Sequence, residues 1–383
     1  MSEATIRPGI YDGISNDAYH GGPGISKSGL DLVHRSPMHY HAAVTAANDN
    51  QPTAAQRIGT AFHALVLEPA EFGKTYCLAL QRSDVPEAIE DRDQLLAMVA
   101  KLNEGRLPKL PTSGSKDALI DMICLSGIET PHSVDDLKAL KAADLKAIIV
   151  AENEKRPGTL PVSGSRHDLA DLLRANGVPV TLWSDVQAEW LANNQQRIVL
   201  STDEWQQLHA MRDSVMAHPA ARALLTGAPG KAEQSVYWVD ALTGELCRCR
   251  PDFWRQDGII VDVKTTDDAS PEGFAKSLVN WRYHVQHPYY LDGCCEAIKQ
   301  SGASGIVPPK HFLFLVVEKK APYAVAVYQM DQESIDQGSA EYRADLTTYA
   351  ECRKTENWPG YGERIQQIGV PTWYLMRHAQ GGN

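Results

Sequence analysis

The chain of 383 residues contains no apolar run approaching the ~20 residues that cross a bilayer, no C-x-x-C pair and no surplus of positive charge. The first absence excludes a membrane-spanning helix. The second excludes the usual zinc and disulfide frameworks, although there are seven cysteines, at Cys77, Cys124, Cys247, Cys249, Cys294, Cys295 and Cys352; reduced thiols are expected. The third, a net charge of -11, argues against a surface that holds nucleic acid generally, because non-specific affinity comes from Lys and Arg neutralising phosphates. A local channel supplied with metal ions stays open. MSEATIRPGIYDG has neither a basic n-region nor an apolar h-region, so no secretory leader is read and a cytoplasmic location is expected.

What is present falls into three stretches, and the middle one repeats. Residues 95–127, ending RLPKLPTSGSKDALIDMICLSG, match residues 145–177, ending RPGTLPVSGSRHDLADLLRANG. Each unit reads as a helix, an extended Pro/Gly connection and a second helix opened by Ser115 or Ser165. Ser165 followed by Asp168 has the form of a capping box. One unit is too small to bury much alone, so the two are expected to pack together or on the main body. The repeat resembles helix-extension-helix modules related to SAP-like domains, which commonly bind DNA; a spacer or protein-docking role is the competing reading, since charge in this stretch is balanced.

Before the repeat, ISKSGLDLVHRSPMHYHAA and AQRIGTAFHALVLEP read as helices, the first opening at Ser26. After it the pattern predicts a long helix around Thr202–Leu225 and strands at Ser235–Val239, Leu246–Phe253 and Gly258–Lys264. Helices follow at Ser270–Asn280 and Tyr283–Lys299, then strands at His311–Val317 and Tyr323–Gln329, then a helix from Gln332 to about Cys352. Helices flanking a strand cluster imply an α/β (α+β) core, a mixed sheet with helices against its faces, plus a small all-α insertion. The division expected is 1–88, an N-terminal helical part; 89–180, the inserted repeats; and 181–383, the core that carries the chemistry.

The strand GIIVDVK poses the main chemical question. Asp262 and Lys264 share one face while Val263 points to the other, and a charge taken out of water is costly unless paired or bound to metal. Asp252 lies ten residues upstream. If Leu246–Phe253 and Gly258–Lys264 are paired neighbours, Asp252 and Asp262 come within reach of one hard cation such as Mg²⁺. Phosphodiester cleavage uses that grouping: an activated water, neutralised phosphate oxygens and a stabilised leaving oxygen. Lys264 would orient the water or neutralise the transition state.

Pro251-Asp252 followed by Asp262-Val263-Lys264 resembles the PD-(D/E)XK nuclease signature, and with it the restriction-endonuclease-like core. RIGTAFHALVLEP, with His63, and WRYHVQHPYYLDG, with Gln286 and Tyr290 at i,i+4 spacing, are similar to the flanking motifs of the RecB-like branch, in the same order. GIYDGISNDAYHGGPGISKSGLD, GTAFHALVLEP, GELCRCRPD and VDVKTT extend the likeness to the RecE-like exodeoxyribonuclease VIII family and its prophage relatives, over most of residues 8–85 and 185–360. The resemblance implies a metal-dependent enzyme degrading linear duplex DNA from 5′ ends and leaving 3′ single-stranded tails for a single-strand annealing partner. It implies Mg²⁺, with Mn²⁺ as a substitute, held by Asp252, Asp262, His63 and the Val263 main-chain carbonyl, with Lys264, Gln286 and Tyr290 assisting, and a homo-oligomer such as a tetrameric ring.

Alternatives stand beside this reading. His63 could be a packed histidine, and Gln286 with Tyr290 an ordinary helix pair. Glu68 and Glu233 could add acidic ligands, though solvated carboxylates are the commoner case. Arg248, Arg250 and Arg282 could line a DNA path or balance nearby carboxylates; Trp281, Tyr283 and His284 could stack on a base or pack in the core. Cys294, Cys295 and Cys352 lack the separated spacing of a four-cysteine iron-sulfur site, so no cluster is expected. A structure-specific endonuclease would use the same residues, and a non-catalytic DNA-end or partner-binding protein could keep the same fold.

Overall fold

The computed structural model describes residues 6–46 and 53–379. Residues 1–5, where the leader reading begins, and 380–383, in the segment expected to carry the chemistry, lie outside the described residues. The chain divides into two compact units: one built from its two ends, through Leu78 and from Ile198, and one from Ala79 to Arg197.

In the first unit the chain runs through β1 (Gly9–Tyr11), α1 (Asn16–His20), α2 (Lys27–Arg35), α3 (Pro37–Thr45), α4 (Ala54–Leu67), α5 (Pro69–Thr75) and β2 (Tyr76–Leu78). The helix expected from Ile25 onward is two, because Ser36 is extended and Pro37 starts the next, as the residue before a proline is driven out of the helical region. In the second unit come α6 (Arg92–Asn103), α7 (Lys116–Leu125), α8 (Val134–Ala139), α9 (Ala142–Lys155), α10 (Arg166–Ala175) and α11 (Trp183–Asn193). The first unit then resumes with β3 (Ile198–Leu200), α12 (Thr202–Ala217), α13 (Pro219–Thr226), β4 (Gly230–Ala232), β5 (Ser235–Val239), β6 (Leu246–Cys249), β7 (Phe253–Arg255) and β8 (Ile259–Thr266). It ends with α14 (Pro271–Asn280), α15 (Tyr283–Ser301), β9 (His311–Glu318), β10 (Val325–Tyr328), α16 (Gln332–Thr355) and α17 (Thr372–Ala379). The single helix expected over Thr202–Leu225 is broken at His218-Pro219 for the same reason as at Ser36-Pro37. Among the described residues no helix is long and apolar enough to cross a membrane.

The strands form a five-stranded mixed sheet in the order β10-β9-β8-β7-β4 and a three-stranded sheet β1-β5-β6. Only the β8–β9 pair of the larger sheet is parallel. Both faces of β8 and β9 are covered, and the period of two sorts their side chains. Val261, Val263, Leu315 and Val317 pack with Phe62 of α4 and Met211 of α12, while Ile260, Phe312, Phe314 and Val316 pack with Val285 and Tyr289 of α15. Asp262 lies on the second of these faces, fully buried.

Leu246–Phe253 is not one strand. It is β6, paired with β5 in the small sheet, and β7, paired with β8 in the large one. Arg250-Pro251-Asp252 makes the transfer; Pro251 cannot donate to a ladder and marks the break.

The inserted unit is wider than the 89–180 read from the repeat. Val180 and Leu182 are buried with Leu95 and Val99, and Ile89 bridges Leu182, which draws residues up to 197 into it. Its two repeats are exchanged. Leu95 and Val99 of α6 pack on Leu169, Ala170 and Leu173 of α10, while Leu119, Ile120 and Ile123 of α7 pack on Leu145 and Ile149 of α9. The extended connections are cross-tied in the same sense: Asn103 holds both polar groups about Leu160, and Asn153 those about Leu110. Neither repeat therefore owns a core, and each core is half of one and half of the other.

β2 and β3 are parallel neighbours, with Tyr76 opposite Ile198, so Leu78 and Ile198 lie close together in the first unit. Replacing residues 79–197 with a short Gly/Ser linker is expected to leave that unit folded, with a cooperative thermal transition and far-UV circular dichroism of a mixed α/β protein. A molten chain would show that the insertion belongs to the same folding unit.

His287 on α15 is buried against Phe312, and its Nδ1 has no hydrogen-bond partner. Burial lowers its pKa to about 4. Above the ordinary histidine range both folded and unfolded chains hold it neutral. As pH falls from about 6.5 the unfolded chain takes up a proton that the folded chain refuses, so stability declines until about pH 4, by up to roughly 3 kcal/mol. Urea denaturation of wild type and His287→Phe across pH 4–7 measures this: the mutant should show a shallower acid loss, and equal slopes would refute it.

Candidate active site

The break between β6 and β7 puts Asp252 at the end of the β7–β8 ladder. Its Oδ2 accepts a hydrogen bond from the Val263 N–H at 2.7 Å, just beyond the last ladder pair, Phe253 with Val261. The side chain thus takes over a partner position that the strand has vacated. His63, on α4, presents Nδ1 3.5 Å from the same oxygen. α4 is held to the sheet by Phe62 and Leu65, and Thr53 with Gln56 forms a capping box at its start.

On the neighbouring register, Asp262 is gripped from two sides. Gln286 Nε2 donates to Oδ1 at 2.6 Å, and Lys264 Nζ lies 2.5 Å from Oδ2, an atom that otherwise receives no hydrogen bond. Burial raises the Asp262 pKa to about 6, against the pull of Lys264. Burial also disfavours charge on Lys264, but Asp262 and Asp252 outweigh it and hold the ammonium above the usual lysine range. The Lys264 amine sits 4.7 Å over the Tyr283 ring, a contact that further steadies the cation.

Gln286 is one turn into α15, and the start of that helix is anchored. Arg282, in a left-handed backbone conformation at φ 51, ion-pairs with Asp31 at 3.0 Å, Glu341 at 3.0 Å and Asp345 at 2.7 Å. Tyr290, one turn after Gln286, packs edge-on to Phe312 and borders a small cavity with Gln286, Lys27, Glu233 and Arg250. Burial drives its hydroxyl pKa well above the tyrosine range.

The arginines considered for a DNA path are engaged inside the protein. Arg248 clamps the carbonyls of Tyr19, His20 and Gly22. Arg250 binds Ser235 Oγ, Asn16 Oδ1 and the Ile14 carbonyl while stacking 4.0 Å from the Tyr19 ring centre. Arg282 carries its three carboxylates. Arg248 and Arg282 spend their donors on these fixed acceptors, and Arg250, engaged in the same way, also lines the cleft described below. Trp281 is exposed, whereas Tyr283 and His284 are largely covered.

Glu233 is not a solvated carboxylate. It sits in the turn between β4 and β5 with a left-handed backbone at φ 51, tied by its N–H to the Asp252 carbonyl at 3.1 Å. Burial first, and Asp252 second, raise its pKa to about 8. Donor atoms of His63, Glu233 and Asp252 all lie within 4.8 Å of one another. With Glu68 and Glu71 they give a cleft of about 800 Å³ an acidic lining, in which Arg250 is the one guanidinium. The carboxylates are hard oxygen donors that suit Mg²⁺ or Mn²⁺, and the imidazole is a borderline nitrogen donor beside them, so the residues fit a divalent cation. Nothing in the local sequence KAEQS marks Glu233; its role depends on where the β4–β5 turn lands. The seven cysteines are free, and Cys294 and Cys352 are buried.

Residues 181–370 match the model of a family described as a PDDEXK-like domain of unknown function. The window contains Asp252, Asp262, Lys264, Gln286 and Tyr290, while His63 reaches the site from outside it. No curated protein matches the chain. Among solved structures, one from Eubacterium rectale described as "Putative exonuclease" is 10% identical, with a TM-score of 0.32, covering 60% of this chain and 85% of its own. The core is of the PD-(D/E)XK type: a mixed sheet flanked by helices, with the signature carboxylates at the β7–β8 end.

Proposed function

We propose that the protein is a metal-dependent exodeoxyribonuclease that degrades linear duplex DNA from its 5′ ends and leaves 3′ single-stranded tails. The observation that carries the reading is the convergence of His63 from α4, Asp252 from the β6–β7 transfer, Asp262 and Lys264 from β8 and Gln286 from α15, with His63 and Asp252 lining an open cleft. Asp252, Asp262, His63 and the Val263 carbonyl would hold Mg²⁺. When bound, the ion would acidify a water and neutralise phosphate oxygens.

The chain's own groups supply the rest. Gln286 holds one oxygen of Asp262, which leaves the other to position the Lys264 ammonium. That ammonium is a fixed positive charge on a short tether, suited to orienting an attacking water or meeting charge that develops on phosphorus oxygens. The Asp252 carboxylate is pre-set by the Val263 N–H, so it does not need to reorganise during the reaction. The acidic cleft would repel DNA in the absence of cations, which makes strict metal dependence part of the same reading.

Polarity, a single-strand annealing partner for the product tails and a ring-shaped homo-oligomer belong to this proposal through the RecE-like motifs. The test uses linear and covalently closed DNA of one sequence, labelled at 5′ or 3′ ends, with Mg²⁺ or EDTA. Mg²⁺-dependent release of 5′ nucleotides from the linear form alone is expected. Cutting of the closed circle would indicate an endonuclease, and no hydrolysis with binding retained would indicate a non-catalytic DNA-end protein.

A further inference from the structure

Of the two roles open to Trp281, stacking on a base or packing in the core, the structure removes the second. The indole is 64% exposed, and Val279, two residues before it, is 68% exposed. Isolated apolar side chains on a surface need no explanation, but this one stands on an unusually fixed base. Its N–H bonds to the Ser277 carbonyl at 3.0 Å, closing α14, and its own carbonyl accepts from the Lys27 ammonium at 2.6 Å. The next residue is Arg282, tied to Asp31, Glu341 and Asp345. Tyr283, one further on, is shared by two ammoniums, Lys264 at 4.7 Å and Lys27 at 5.8 Å from its ring centre. Lys27 in turn lines the cavity of about 210 Å³ that Gln286 and Tyr290 border. An exposed indole is thus carried at the rim of the candidate site, on main chain that has little freedom left to lose.

We propose that Trp281 is a stacking face for a nucleobase, the unpaired base of the strand that enters the site from an opened duplex end. This rests on the nuclease reading and deepens it by naming what the site holds besides phosphate. Hydrolysis at a duplex end draws a phosphate of one strand toward Lys264 and the carboxylates, and a base of that strand must leave its pair. Carboxylates and ammoniums give that base no apolar surface. An exposed indole does, because every base has a π-face and stacking tolerates any sequence. Such tolerance is what an enzyme that removes nucleotides in succession requires. Since the main chain under the ring is already fixed, the contact forms without ordering a loop.

A cycle between the base and the side chain tests this. The probe is a duplex with a short unpaired 5′ flap whose nucleotides either carry bases or are abasic. Binding is read by fluorescence anisotropy with Ca²⁺, and nucleotide release with Mg²⁺. Wild type is expected to bind the base-bearing flap about tenfold more tightly than the abasic one, Trp281→Ala to bind both alike at the abasic level, and Trp281→Phe to keep most of the preference. The melting temperature of Trp281→Ala should stay at the wild-type value, because the exposed ring supports no core. A wild type without the preference, or a preference undiminished in Trp281→Ala, would overturn the proposal. So would weakened self-association of Trp281→Ala with the preference intact, which would make the ring an interface between copies. If the wild type still shows Mg²⁺-dependent hydrolysis in these cases, only the stacking face fails. A base preference that depends on Trp281 in a wild type that hydrolyses nothing would instead overturn the nuclease reading and leave Trp281 in a DNA-end binding site.

Discussion

Lys264→Met is expected to lower DNA hydrolysis by about 10²–10³-fold, the usual consequence of removing one preorganised charge from a transition state. Methionine keeps the length and packing of the side chain over the Tyr283 ring, so the loss reports the ammonium and not the volume. A second effect follows from the burial of Asp262. Without Lys264 its Oδ2 faces no cation, and breaking a buried pair on one side costs about 3–5 kcal/mol. The double variant Asp262→Asn/Lys264→Met should recover most of that stability, because a neutral amide replaces an uncompensated carboxylate and Gln286 can still bond to it. It should recover no activity. Stability from chemical denaturation and nucleotide release from linear DNA, measured on wild type and both variants, separate the structural role of the pair from the chemical one. Activity of Lys264→Met within tenfold of wild type would remove Lys264 from the mechanism.

Gly338→Ala is expected to be the most damaging single methyl group on the scaffold beside the site. A Cβ at this position of α16 would lie 1.9 Å from the His284 carbonyl oxygen and 2.6 Å from its carbon. Both are main-chain atoms of α15, so no rotamer change relieves the clash and the helices must separate. Overpacking ordinarily costs about 1–3 kcal/mol, and contact with backbone puts this case at or above the upper end. The displaced turn carries Gln286, so the loss of stability should come with a loss of hydrolysis. Gly293→Ala is the informative comparison. Its Cβ would meet the Trp238 ring at 2.4 Å, but a ring edge is a side chain and can shift. A smaller fall in melting temperature is expected there, with activity largely retained by the molecules that fold. Equal melting temperatures for Gly338→Ala and wild type would mean that α15 and α16 are not locked together as described.

Much of the candidate site was legible in the sequence because its chemistry depends on local spacing. Asp262 and Lys264 share a face for the simple reason that strands alternate, and Gln286 and Tyr290 do so because helices repeat at i,i+4. Asp252 was legible as a residue but not as a geometry. The expected strand Leu246–Phe253 would have carried it along one ladder; instead the chain changes sheets at Pro251, and the freed Asp252 side chain takes the Val263 N–H. The partners of the arginines were not legible, because alternation on the expected strand says only that Arg248 and Arg250 face the same way, not that the carbonyls of the α1 region wait there. The inserted unit follows the same logic. Its repeat and its Ser caps are periodic and local, whereas the exchange of helices between repeats is a matter of which hydrophobic faces meet.

The sequence alone therefore settled most element types, the order of the motifs and the pairing of Asp262 with Lys264 on one strand face, because each of these is set by neighbours a few residues apart. Only the tertiary structure brings Arg282, at the start of the helix that carries Gln286, onto Asp31, Glu341 and Asp345, and sets Glu233 beside Asp252. Those relations join residues 59 to 251 positions apart in some cases, and no local period encodes them; they exist only once burial has forced the faces of the sheet and helices together.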